Sequence, residues 1–155
     1  MTFIINQHYN YIDIFENDTL FLQIKQKANF WSKKTLEFCF ENELVLVATS
    51  QTAFFRKKHL ITYQNTQKKI VLFKNEKNIL LLDIEGELIE LKRDYLKNPI
   101  YSIFSNSKSI GFVNTELFRF GGTPAIYEAN IDCTIEDAIY FLFLLVIQIP
   151  SSLDE

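Results

Sequence analysis

Apolar and polar residues alternate along most of the chain with a period of two, the spacing that puts successive side chains on opposite faces of a strand. In Leu20-Phe21-Leu22-Gln23-Ile24-Lys25, residues Leu20, Leu22 and Ile24 share one face. In Leu36-Glu37-Phe38-Cys39-Phe40-Glu41 the trio Leu36, Phe38 and Phe40 does the same. A slip of one residue would turn either trio to water, so the register is well specified. Further strand-like runs lie at 9–15, 44–49, 59–63, 69–74, 78–84, 87–92, 100–104, 108–113 and 125–131. Turn-forming clusters stand between them, such as Glu16-Asn17-Asp18, Asn42-Glu43, Glu85-Gly86, Ser105-Asn106-Ser107 and Gly121-Gly122-Thr123-Pro124. This spacing predicts a meander of about twelve strands, hence a β-barrel or sandwich.

The C-terminus breaks the pattern. Thr134-Ile135-Glu136-Asp137 reads as a helix start, with Thr134 as N-cap and Asp137 reaching back to complete a capping box. The acids also suit the positive end of the helix dipole. An almost wholly apolar run follows to Ile149 and stops at Pro150. A helix over 135–149 would rise about 22 Å, short of the roughly 30 Å hydrocarbon core of a bilayer. Acids flank it on both sides (Glu136, Asp137, Asp154, Glu155), and no Lys, Arg or Trp anchors it. With no polar stripe, it is expected to be buried all round. The expected fold is mainly β, one domain over 1–155, with a closed antiparallel barrel around one buried hydrophobic C-terminal helix.

Composition agrees with this. A chain of 155 residues suits one domain, and 48% hydrophobic residues support a core. The 15 Phe and 7 Tyr suit pleated surfaces and a wide interior. Cys39 and Cys133 are far apart and lack a CxxC partner, so two free thiols in a reducing compartment are expected. Residues 1–10 carry no basic, apolar leader, which points to a cytoplasmic location.

Charge changes the picture more. The net charge of −3 hides an excess of +7 over residues 23–77, against −3 over 1–22 and −7 over 78–155. The positive stretch contains a weak repeat. Phe30-Trp31-Ser32-Lys33-Lys34-Thr35-Leu36 aligns with Phe54-Phe55-Arg56-Lys57-Lys58-His59-Leu60, one hairpin further on. If hairpins stack as the repeat suggests, Lys33, Lys34, Arg56, Lys57, Lys58, Lys68 and Lys69 form one basic rim. With Trp31 and Phe55 nearby, such a rim could hold anionic lipid headgroups. Lysines at strand ends also serve simply as solubility and edge-protection devices.

Catalytic chemistry finds few candidates. His8 and His59 are the sole histidines, and His59 reads as an ordinary surface or strand residue. Asp83, Glu85, Glu87 and Glu90 crowd one hairpin as turn acids would, and no spacing suggests a metal site. Gly121-Gly122-Thr123 lacks the frame of a phosphate loop. Neither enzymatic activity nor a cofactor is expected, and nucleic acid is disfavoured by the negative net charge.

One stretch carries a resemblance. Ser107-Lys108-Ser109-Ile110-Gly111-Phe112-Val113 is followed by Phe118-Arg119-Phe120-Gly121-Gly122-Thr123 and by Ile126-Tyr127-Glu128-Ala129-Asn130-Ile131, which leads into the helix. With about twelve strands before it, this resembles the closing pattern of the tubby C-terminal-like superfamily, whose small members are LURP-one-related and phospholipid-scramblase-like proteins. The resemblance implies a barrel around a central helix and binding of phosphoinositides. It does not extend to scramblase activity, because the cysteine cluster, Pro-rich tail and acidic calcium segment of scramblases have no counterpart in this chain. The expected function is a non-enzymatic binding domain, peripheral at anionic membranes through the basic rim and not transmembrane. The alternative is a protein-interaction module, such as a bacterial immunity or inhibitor protein.

Overall fold

A computed structural model describes residues 1–28, 32–54, 56–94, 96, 99–115 and 126–150. The strands are β1 (Thr2–Gln7), β2 (Tyr11–Glu16), β3 (Thr19–Ala28), β4 (Lys33–Phe40), β5 (Glu43–Ala53), β6 (Arg56–Gln64), β7 (Ile70–Lys74), β8 (Leu80–Ile84), β9 (Glu87–Arg93), β10 (Tyr101–Ser105), β11 (Lys108–Thr115) and β12 (Ile126–Ile131), followed by α1 (Ile135–Gln148). They form one antiparallel sheet in the order β6-β5-β4-β3-β2-β1-β12-β11-β10-β9-β8-β7. Neighbours in sequence are neighbours in space, and β1 joins β12 through pairs such as Phe3↔Ala129 and Ile5↔Tyr127. The result is the expected barrel, closed everywhere except between β6 and β7.

The period-two pattern sets which side chains face inward. Along β1, Phe3 and Ile5 are buried; along β4, Leu36 and Phe38; along β10, Tyr101 and Ile103. Helix α1 fills the interior, and every residue from Tyr140 to Ile147 is buried. Its Phe143 ring meets Phe38 edge-on at 5.2 Å, so the plug and the wall form one core. Thr134 caps the helix by accepting a hydrogen bond from the Asp137 amide at 3.3 Å. Asp137 does not reach back as a capping box would; its carboxylate takes the Lys68 ammonium instead, at 2.6 Å. No helix among the described residues is long and apolar enough to cross a membrane.

Two local departures have physical causes. Strand β1 alternates in burial but not in sequence, because Phe3-Ile4-Ile5 is a continuous apolar run. A register shift between β2 and β3, opposite Ile14 and Phe15, turns Phe21 as well as Leu22 inward. Leu20 is thereby half exposed rather than sharing the face of Leu22 and Ile24. Glycine is required at 111, where a Cβ would sit 2.4 Å from the Asn130 carbonyl oxygen across the β11–β12 pair.

The two mouths of the barrel are built differently. At the mouth where α1 begins, four hairpins turn on two residues with positive φ: Asn17-Asp18, Glu41-Asn42, Glu85-Gly86 and Asn106-Ser107. Positive φ at both central positions makes the tight turn whose twist matches that of the strands. At the mouth where α1 ends, the connections 8–10 and 75–79 are longer.

Candidate functional site: a basic mouth and an open seam

Strand register assigns each basic residue to a mouth. Lys33 pairs with Gln51 and Lys34 with Ser50, while Arg56, Lys57 and Lys58 face Ala53, Thr52 and Gln51. These five residues gather where α1 ends, a position fixed by the Gln7 amide donating to the Pro150 carbonyl at 2.9 Å. Lys74 joins them, its ammonium donating to the Lys57 carbonyl at 2.7 Å.

Lys68 and Lys69 do not belong to this group. Strand β6 lies between them and Arg56, a span of about 30 Å for nine residues. They sit at the opposite mouth among acids. Lys68 binds Asp137, and its amide donates to the Tyr140 hydroxyl at 2.9 Å. That hydrogen bond to Asp137, chiefly, raises the Lys68 pKa above its ordinary value. The Lys69 amide donates to Glu85. The single rim therefore divides: five of its seven lysines and arginines share a mouth, and two serve the helix start and a turn.

Three apolar side chains crown the basic mouth. Phe54 is 96% exposed, Leu96 95% and Tyr9 70%, each in a connection at that end. Phe54 also adopts a left-handed φ of 50°, an uncommon conformation for a bulky residue. The repeat's other aromatics, Phe30, Trp31 and Phe55, lie outside the described residues, as does the stretch from Phe118 to Thr123.

Just inside this mouth the core face turns polar. Gln26, Lys34 and Ser50 are buried, and Ser50 Oγ lies 2.6 Å from His59 Nδ1. Both atoms of the Gln26 side-chain amide are buried without a hydrogen-bond partner among the described residues. His59, within β6, is thus half-buried and bonded to Ser50, its partner across the β5–β6 pair. Gln26, Ser50 and the inward place of Lys34 were legible as parity. Each extends an inward series, namely Leu22-Ile24-Gln26, Lys34-Leu36-Phe38 and Leu46-Ala48-Ser50, by one polar residue.

Between β6 and β7 the wall is open. No backbone hydrogen bond joins these strands among the described residues. Side chains bridge them instead. The Gln64 amide donates to the Ile70 carbonyl and accepts from the Ile70 amide, at 3.2 and 3.1 Å, doing for β7 what a strand backbone would. Above this lies a cleft of about 570 Å³, lined by Arg56, Lys57, Lys58, His59 and Lys74 together with Leu72, Phe73 and Leu80. No carboxylate lines it among the described residues.

Elsewhere, Cys39 and Cys133 are both free thiols. No cluster of His, Cys, Asp or Glu able to hold a metal ion occurs among the described residues. No protein-family model, curated protein or solved structure matches the chain.

Proposed function

We propose that this chain is a non-enzymatic binding domain of the tubby-like type, cytoplasmic, that docks its basic mouth on anionic phospholipid headgroups. The observation that carries this reading is the meeting, at one end of the barrel, of Lys33, Arg56 and Lys58 with nearly fully exposed Phe54 and Leu96. Apolar tips beside cations suit the boundary between headgroups and acyl chains. Each cation near an anionic bilayer contributes about 1 kcal/mol. The test is co-sedimentation with vesicles. Anionic vesicles should bind and neutral ones should not, and binding should weaken between low and physiological salt as screening tightens. Phe54→Ser should reduce binding without altering its salt dependence. If anionic vesicles are ignored even at low salt, the lipid reading fails.

The open seam favours a second reading, a protein-interaction module, because an unladdered strand edge offers hydrogen bonds that a partner chain can take.

A further inference from the structure

We propose that the seam between β6 and β7 is a strand-addition site for an extended, acidic segment of a partner protein, an inference that rests on the second reading above. Edge strands recruit further strands through their main-chain groups, and side-chain pockets then select the sequence. Three independent features of the seam fit such an occupant.

The first is main-chain geometry. The Lys57 carbonyl meets the Lys74 side chain, so it points across the seam and away from β5. In an antiparallel ladder such orientations alternate, so the main-chain groups of Ile61 also face the seam. On the other wall, both main-chain groups of Ile70 reach the Gln64 side chain. By the same alternation those of Leu72 face the seam. The walls are held apart by the lengths of Gln and Lys side chains, not by the roughly 4.8 Å spacing of paired strands.

The second is the flanking surface. Leu60 and Val71 stand 54% and 50% exposed on the outer face, on either side of the seam. Exposed apolar residues in a row on edge strands are what an uncovered sheet face presents. The third is charge. Arg56, Lys58 and Lys74 lie at the upper end of the cleft, whose described lining holds no acid. The partner is thus acidic at the end beside these cations and apolar beside Leu60 and Val71. Since β6 has nine residues against five in β7, the added strand takes β6 as its main template.

The experiment uses the full chain and an eight-residue peptide with Glu at one end and Val over the rest. The acidic peptide should bind, and the same peptide with Lys in place of Glu should bind at least tenfold more weakly. N-methylation of alternate amides keeps every side chain and removes the ladder donors, and should also cost at least tenfold. Ile61→Pro should abolish peptide binding while leaving vesicle binding unchanged, since proline blocks the seam edge and spares the bonds to β5. Equal affinity of the N-methylated and parent peptides overturns strand addition but leaves a side-chain protein interface standing. No binding of the acidic peptide overturns both. Binding of the Lys peptide as tight as that of the Glu peptide overturns the acidic partner.

Discussion

The two mouths of this barrel use the same residue types for opposite ends. At the mouth where α1 begins, four turns are two residues long, acids dominate, and Lys68 is tied to Asp137 and the helix start. At the other mouth the connections 8–10 and 75–79 are longer, Lys33, Arg56 and Lys58 gather exposed, and Phe54 and Leu96 project into solvent. A lysine at the first mouth completes structure, whereas Lys33, Arg56 and Lys58 at the second stand exposed and concentrate charge of one sign, at a cost in self-repulsion. Tight turns specify register and leave no room for a ligand. Long connections on a rigid wall are where binding residues collect.

Both mouths depend on the plug, so the largest effect comes from breaking it. Leu144 is fully buried. Leu144→Ala should destabilise the fold by about 2–5 kcal/mol, as a buried large-to-small change does. Leu144→Asp should prevent folding. Denaturant unfolding followed by circular dichroism checks both; a small, local cost would mean that α1 is not core.

Next comes the basic mouth. Reversing Lys33, Arg56 and Lys58 to Glu removes about 3 kcal/mol of attraction to an anionic bilayer, roughly a hundredfold in affinity, before any repulsion is added. The thermal midpoint should hardly move, since all three are exposed. Lys34 belongs in a separate variant. It is only 9% exposed, so Lys34→Glu should lower stability as well as binding. If the triple variant binds vesicles like the parent, the contrast between mouths is structural only.

The acidic mouth should answer in the opposite sense. Thr134→Ala removes the cap and should cost about 0.5–2 kcal/mol with vesicle binding unchanged. Asp137→Asn removes the partner of a partly exposed Lys68 and should cost no more than about 1 kcal/mol. Because Lys68 is held charged by Asp137, that contribution is fully present below pH 10.5 and fades as pH rises further.

How much of this was legible in the sequence differs between the two levels. Alternation placed eleven of the strands to within a few residues, and the stretch from Thr134 to Pro150 located the helix, because burial on one face of a strand or all round a helix writes itself into residue spacing. Strand β1 was missed where Ile4 and Ile5 are both apolar. The site was half legible. Equivalent hairpin ends brought Lys33, Lys34, Arg56, Lys57 and Lys58 together as the repeat implied. Lys68 and Lys69 look the same in sequence, but they follow β6 instead of preceding it, and a strand reverses which mouth its two ends reach. The open seam left no mark, since nothing in the alternation of β6 or β7 tells a paired edge from an unpaired one. The Ser50–His59 contact lies in the unbroken register that runs from Ala53↔Arg56 to Ala48↔Ile61, short of the bulge at Val47 and Ala48.

The smallest effect reads the acidic mouth's own field. Cys133, between β12 and α1, has its thiol pushed up from 9.0 to about 11. Burial contributes most; the carboxylates of Asp137, Asp132 and Glu16 add to it, and the nearby N-terminal amino group opposes it. A thiol whose folded value is raised is held protonated, so its contribution to stability is present below pH 9 and is lost as pH climbs toward about 11. At pH 8 on the order of one thiol in a thousand is then ionised, and only the thiolate is nucleophilic. Alkylation of Cys133 by iodoacetamide, followed by mass spectrometry, should be very slow at pH 8. It should rise about tenfold per pH unit until it levels near 11. Asp137→Asn should shift that curve slightly to lower pH, and reversal of Lys33, Arg56 and Lys58 at the far mouth should leave it in place. A curve that levels near pH 9 would show that neither burial nor the ring of acids reaches this thiol.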